Sequence, residues 1–363
     1  MNINDVGRTF LPAFLAIAAM GGCSPAQAQP PASPSATSGA TAPAAASAAS
    51  SGGAAGADAA GTSPWGASDE IGMLNMMTAP SRLAILARID GSKVYDLAVD
   101  YFQGMPSFDA LGDPRYQIWL THTPRGTGVD DPVKVGRPQN DKVSYTGDAI
   151  SMYTHTGTHI DSLNHFGLHG RIYNGFRADE HLGDHGWQRN GPDKMPPIIA
   201  RGVLLDIAAL KGVAMLPNAY AITSADLKDA LARQHTNLEP GDVALIRTGR
   251  MSVWPDRDRF VADTPGLTLE SARWLAEEKR VMVIGSDALA PDQLPSGQKD
   301  NWIPVHTYLL AQRGIPLIEV IDLEALARDR VYEFAFLGAP LRLRGASGAP
   351  FRPIAFPLRA VKR

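Results

Sequence analysis

The chain has 363 residues, 44% of them hydrophobic, and a formal net charge of -3. That length suits one large domain or two modest ones, and the balanced charge offers no basic stripe for nucleic acid and no polybasic helix for a membrane surface. The one cysteine, Cys23, excludes an intrachain disulfide and a thiolate metal site, so any metal must be held by His, Asp and Glu, a donor set that favours Zn, Mn or Fe.

Residues 1–28 read as a targeting segment. Arg8 precedes an apolar run from Thr9 to Met20, too short to span a bilayer but suited to the core of a signal peptide. Met20-Gly-Gly-Cys23 resembles a lipoprotein box, while Ala26-Gln-Ala28 suits ordinary cleavage, and both exits stay open. The expectation is an exported protein, periplasmic or lipid-anchored through Cys23, with no membrane-spanning segment in the mature chain. Residues 29–62 are Ala, Ser, Pro, Gly and Thr with almost no charge or large apolar side chain. Such a stretch buries too little surface to fold and reads as a disordered linker. A single globular domain is expected over 63–363.

Within it, Asp69 and Glu70 are first-turn charges for a short helix. Val94–Val99 reads as a strand. Gly104 to about Asp141 is rich in Gly, Pro and Asp and reads as a long functional or mobile loop. Ile198–Ile207, Gly241–Gly249, Val281–Asp287 and Ile315–Ile321 read as strands buried on both faces. Between them lie a helix capped by Ser224 and running to about His235, a helix capped by Thr268, and a helix over His306–Gln312 stopped by Gly314. Helices alternating with short buried strands indicate an α/β sheet.

Six of the nine histidines fall between His155 and His185. In His155-Thr-Gly157-Thr-His159-Ile-Asp161 every polar offset is even, so an extended chain aims all three groups to one face. A helix would pair the two histidines but rotate Asp161 away. Four residues of flat strand span roughly 13 Å, too far for two imidazoles to share an ion at about 2 Å each. The chain must therefore bend, and Gly157 is where it bends cheaply. His165, four residues beyond Asp161, is either a further ligand or a general acid and base, for which its pKa suits it. Glu319 is a carboxylate inside the apolar run Ile315–Ile321, and a buried carboxylate needs a partner or a metal. His169, His181 and His185 sit in a polar loop and read as surface or outlying groups. Asp287 ends a buried strand as a pocket or capping residue.

The run His155-Thr-Gly-Thr-His-Ile-Asp-Ser-Leu-Asn-His-Phe166 resembles the signature of the cyclase family, which includes kynurenine formamidases, isatin hydrolase and a trans-dienelactone hydrolase. The likeness extends from about Trp65 to the C-terminus. The resemblance implies a swivelling β/β/α domain with a central β-rich core flanked by helices. It implies that His155, His159, Asp161, His306 and Glu319 bind one or two divalent ions, Zn2+ or Mn2+, with Asp161 and Glu319 able to bridge two. It implies that His165 is the catalytic acid and base, and that the chain forms homodimers or larger homo-oligomers. Two positions depart from the family pattern. Ser162-Leu163 replaces the usual Ala-Pro, and the substrate-packing tryptophan of the formamidases has no clear match, Phe108 being the nearest stand-in.

The expected activity is hydrolysis of an amide, cyclic amide or lactone of a small-molecule substrate by metal-activated water. No Gly-x-Ser-x-Gly elbow or His-Glu-x-x-His motif offers another catalytic plan. The competing reading is a non-catalytic exported protein that binds metal or a small molecule, distinguished by a closed rather than an open coordination site.

Overall fold

The structure, a computed structural model, describes residues 58–359. The expected targeting segment, Cys23 and residues 29–57 of the expected linker lie outside the described residues. The packed body reaches back to Gly61, which is buried and donates its N–H to the Ala311 carbonyl at 2.9 Å.

Eleven strands organise the fold: β1 (Tyr95–Asp96), β2 (Gln117–His122), β3 (Gly147–Ser151), β4 (His159–Asp161), β5 (Ile198–Asp206), β6 (Val243–Arg247), β7 (Val283–Ser286), β8 (Leu317–Glu319), β9 (Glu333–Gly338), β10 (Gly348–Pro350) and β11 (Ile354–Pro357). Nine of them form one sheet in the order β1-β11-β9-β5-β6-β7-β8-β4-β10. The four central strands β5 to β8 run parallel. Their crossovers carry helices Ser224–Gln234, Leu269–Arg273 and Pro304–His306, the last two continuing as π-helical turns to Glu278 and Gln312. Antiparallel strands complete both ends of the sheet. This is the expected α/β class, a β-rich core flanked by helices.

The parallel strands read as continuous apolar runs because they are buried on both faces. Val203, Leu205, Ala244, Ile246, Ile284 and Leu317 enter one core with the crossover helices. Their alternating neighbours Leu204, Val243, Leu245, Val283 and Ile318 enter a second core with Leu74, Met77, Phe334 and Phe336. Each such Leu or Ile contributes about 1.5–3 kcal/mol of burial. Arg201 at the start of β5 meets Asp242 before β6 at 2.7 Å, and Arg247 at the end of β6 meets Asp206 at 2.9 Å and Glu324 at 2.8 Å.

Several local expectations are corrected. The helix at 224–234 is capped by Thr223, not Ser224. Thr223 accepts from the Asp226 N–H, and Asp226 accepts from the Thr223 N–H in return, a reciprocal box that Ser224 cannot form. Asp69 accepts from the Ile71 and Gly72 N–H groups ahead of a 3-10 turn at Gly72–Met76, rather than sitting inside a helix. The 94–99 strand pairs only over Tyr95–Asp96.

The largest correction is at 104–141. This is not one loop: β2 and β3 form an antiparallel ribbon joined by short helices at Pro124–Asp130 and Arg137–Asn140. Every residue of β2 is exposed, with Ile118 at 40%, Trp119 at 49% and Leu120 at 60%. Ile150 of β3, opposite Ile118, is 55% exposed. The Gly, Pro and Asp content that suggests a loop belongs to the turns around the ribbon. No helix among the described residues is long and apolar enough to cross a membrane.

Candidate metal centre

The site forms where β4 lies between β8 and β10. Register places His159 opposite Glu319 and Pro350, and Asp161 opposite Leu317 and Gly348. His159 and Asp161 share a face by the two-residue period of the strand, while Ile160 turns into the core. The chain bends just before β4. Gly157 has φ +63°, and a Cβ there would meet Tyr101 and Met105 at 2.9 Å. The bend lets His155 return toward the strand, with its ring centroid 5.1 Å from that of His159.

His155 Nδ1 lies 2.6 Å from Asp161 Oδ1, and its Nε2 lies 2.9 Å from Ser347 Oγ. Its ring rests on Gly348, where a Cβ would sit 2.5 Å from Cε1. His159 Nδ1 faces the Gly157 carbonyl at 2.8 Å, so its Nε2 points inward, 3.3 Å from both Asp161 and Glu319. His306, at the start of its helix, places Nε2 3.0 Å from Glu319 and 3.5 Å from Asp161.

These inward contacts have ion-pair distance but not hydrogen-bond alignment. His159 Nε2, Asp161 Oδ2 and Glu319 Oε1 are buried and have no hydrogen-bond partner. An unsatisfied buried polar group costs about 1–3 kcal/mol, and three around one point form a set that a divalent cation would satisfy. Ligand atoms of His155, His159 and Asp161 lie within 4.8 Å of one another, as do those of Asp161, His165 and His306. Asp161 belongs to both groups. The residues therefore fit a divalent ion held by imidazole and carboxylate.

Without a cation the charges press on each other. Burial alone would lower the His159 pKa, but Asp161 and Glu319 outweigh it and raise it to about 10. Burial acts the same way on His306, and Asp292, Asp161 and Glu319 reverse it, holding that pKa well above its ordinary value. Burial opposes ionisation of Asp161, yet His165 and His155 hold its carboxyl well below the usual carboxylate range.

His165 differs from the rest. It is half-buried, its ring stacks on that of His155 at 3.7 Å, and it has no side-chain hydrogen bond among the described residues. Burial, with help from His155 and His306, holds its pKa well below the ordinary value against the pull of Asp161. Phe166 packs at its edge, and the 57% exposed Trp302 lies 6.0 Å from Phe166. On this side the buried cluster has a half-exposed, aromatic rim.

The structure thus brings together His155, His159, Asp161, His165, His306 and Glu319. Phe108 packs against Met251, Val253, Phe260, Leu289 and Val320, the last directly after Glu319 in the chain. His169 is exposed and pairs with Asp58 at 2.9 Å. His181 is half-buried against Phe176, and His185 is exposed. Asp287 is fully buried and accepts from the Thr248 and Gly249 N–H groups and the Thr248 hydroxyl. Burial raises its pKa to about 6. Sequence reasoning missed Asp292, 2.6 Å from His306 Nδ1, and Ser347. Neither belongs to a recognisable spacing, because each reaches its histidine through the fold.

The Cyclase family model matches residues 95–293, more than half of the chain, and the chain belongs to that family. It is 25% identical over 268 residues to Cyclase-like protein 3 of Oryza sativa subsp. japonica, covering 73% of this chain and 80% of that protein. Among solved structures it resembles a novel cyclase, with TM-score 0.70 and 29% identity over 80% of this chain and 97% of the other. It also shares the fold of isatin hydrolase A from Ralstonia solanacearum, with TM-score 0.56 and 22% identity over 78% and 98% of the two chains.

Proposed function

We propose that this cyclase-family chain is a metal-dependent hydrolase that opens an amide, a cyclic amide or a lactone with water. One observation carries the reading. Three unpartnered buried ligand atoms, on His159, Asp161 and Glu319, converge beside a half-exposed histidine whose side chain has no hydrogen bond among the described residues. The solved relative named isatin hydrolase A supports it as an example of this fold in hydrolysis.

His155, His159, Asp161, His306 and Glu319 would hold one or two ions, Zn2+ or Mn2+. When bound, a divalent ion supplies Lewis acidity toward a carbonyl and lowers the pKa of water to about 7. His165 moves the proton. Its imidazole accepts a proton at a ring nitrogen from the attacking water and returns it to the departing nitrogen or oxygen. Stacking on His155 fixes its plane. Phe166 and Trp302 offer an apolar wall to a flat substrate. The half-exposed rim favours a catalytic site over a closed structural one, since catalytic centres keep a coordination position open.

The targeting segment at 1–28 supports export, to the periplasm or to a membrane surface through Cys23. The exposed β2–β3 ribbon supports a homo-oligomer. An isolated two-stranded ribbon is marginal in water, and a second copy would cover its apolar face.

The test is metal analysis of the purified chain, with hydrolysis assays on N-formylkynurenine, isatin and a dienelactone before and after chelation. Tightly held metal with chelator-sensitive turnover supports the proposal. A folded protein that takes up neither Zn2+ nor Mn2+ and turns over none of these defeats it.

A further inference from the structure

We propose that Asp292 is a positioning residue for the metal cluster, fixing His306 with its proton on Nδ1 and its Nε2 lone pair aimed between Asp161 and Glu319. The inference rests on reading the cluster as a metal site. Asp292 lies outside the signature and is fully buried. Its Oδ2 is 2.6 Å from His306 Nδ1, and its Oδ1 accepts from the Val305 N–H at 2.9 Å. Both oxygens are thus committed to the start of the helix that carries His306.

An ionised carboxylate can only accept. The His306 nitrogen that faces it must therefore carry the hydrogen, which leaves Nε2 as the ligand atom. The other two imidazoles are set by neutral groups. The Gly157 carbonyl faces His159 Nδ1, and the Ser347 hydroxyl faces His155 Nε2. Of the three, only His306 has, among the described residues, a carboxylate behind it on the side away from the cluster. Such a partner raises the basicity of the ligand, and losing it typically weakens metal binding about 10–100-fold. Asp292 then makes His306 the strongest imidazole donor of the set without touching the ion.

Asp292→Asn is the informative variant because it keeps size and shape. Its Oδ1 can still accept from Val305, which turns the amide NH2 toward His306. That group donates, so Nδ1 must accept and the ring hydrogen moves to Nε2, where it blocks the ligand position. The full chain, stripped of metal, is titrated with Zn2+ in competition with a chromophoric chelator, for wild type, Asp292→Asn and Asp292→Ala, alongside melting curves of the metal-free forms. The expected result is Zn2+ affinity about 10–100-fold lower in Asp292→Asn, with a cooperative metal-free melt showing that the variant is folded. In zinc-loaded wild type, nitrogen–proton NMR of the imidazoles should place the His306 hydrogen on Nδ1. Affinity in Asp292→Asn equal to wild type overturns the proposal. So does a zinc-loaded wild type with that hydrogen on Nε2, a measurement that stands even if the variants fold poorly. A wild type that binds no Zn2+ overturns the metal reading itself, an outcome separable from the others.

Discussion

His159 and Glu319 face each other across the antiparallel pairing of β4 and β8, with Nε2 and Oε2 3.3 Å apart and no aligned hydrogen bond between them. The register that brings them together also puts Asp161 two residues away on the same face. A buried imidazole and two carboxylates held this close, each with one atom lacking a hydrogen-bond partner, are well matched to a cation.

His165→Ala should lower kcat by about 100-fold or more, the usual worth of a positioned acid and base, and leave metal content near wild type. Metal analysis and steady-state kinetics on the same preparation check this. Full activity in the variant would remove His165 from the mechanism.

The metal-free chain should lose stability in alkali through His159. Burial lowers its pKa, but Asp161 and Glu319 prevail, so the folded value of about 10 stands above the ordinary 6.5. A group whose pKa rises on folding stabilises fully below its unfolded pKa, and that contribution is lost as pH climbs through the folded one. The melting temperature of metal-free wild type should therefore fall from about pH 6.5 toward pH 10, and fall less steeply in His159→Gln. Equal slopes would show that the proton on His159 contributes nothing.

Gly157→Ala should be destabilising and should empty the site. The new Cβ would meet Tyr101 and Met105 at 2.9 Å on a residue with φ +63°, and overpacking alone costs about 1–3 kcal/mol. Relief requires the bend to open, which carries His155 away from Asp161. Thermal melts and zinc titration measure the two effects, and a variant with wild-type melting and wild-type zinc affinity would show the bend to be dispensable.

Replacing Leu120 and Ile150 with Asp should dissociate the proposed homo-oligomer. Both side chains are more than half exposed on the ribbon, and neither packs into the described cores. Light scattering after size-exclusion chromatography should give a monomer with a nearly unchanged melting temperature. An unaltered oligomer would place the contact elsewhere.

The central strands and the signature were legible in the sequence for different reasons. β5 to β8 are buried on both faces, so their apolar runs stand out without alternation. The signature could be placed because even spacing and one glycine leave an extended, bent chain as the arrangement that converges its groups. The ribbon was hidden: Ile118, Trp119 and Leu120 form a short apolar run amid turn residues, and nothing within that window says that the run pairs with Ala149 and Ile150. Asp292 and Ser347 were invisible because they act across 14 and 192 residues of chain. The cap at Thr223 was missed by one residue because two adjacent hydroxyls compete, and only the distance to Asp226 decides between them.

The strand that carries His159 and Asp161 is three residues long and is paired on both sides by segments synthesised more than 150 residues later. A growing chain that has just exposed its histidine signature thus lacks Glu319, the strand that supports it and the loop that holds His155. The complete ligand set exists only after nearly the whole polypeptide has folded. The cation is therefore acquired in whichever compartment hosts that folding step, and a chain exported before folding would be loaded from the metal pool outside the cytoplasm.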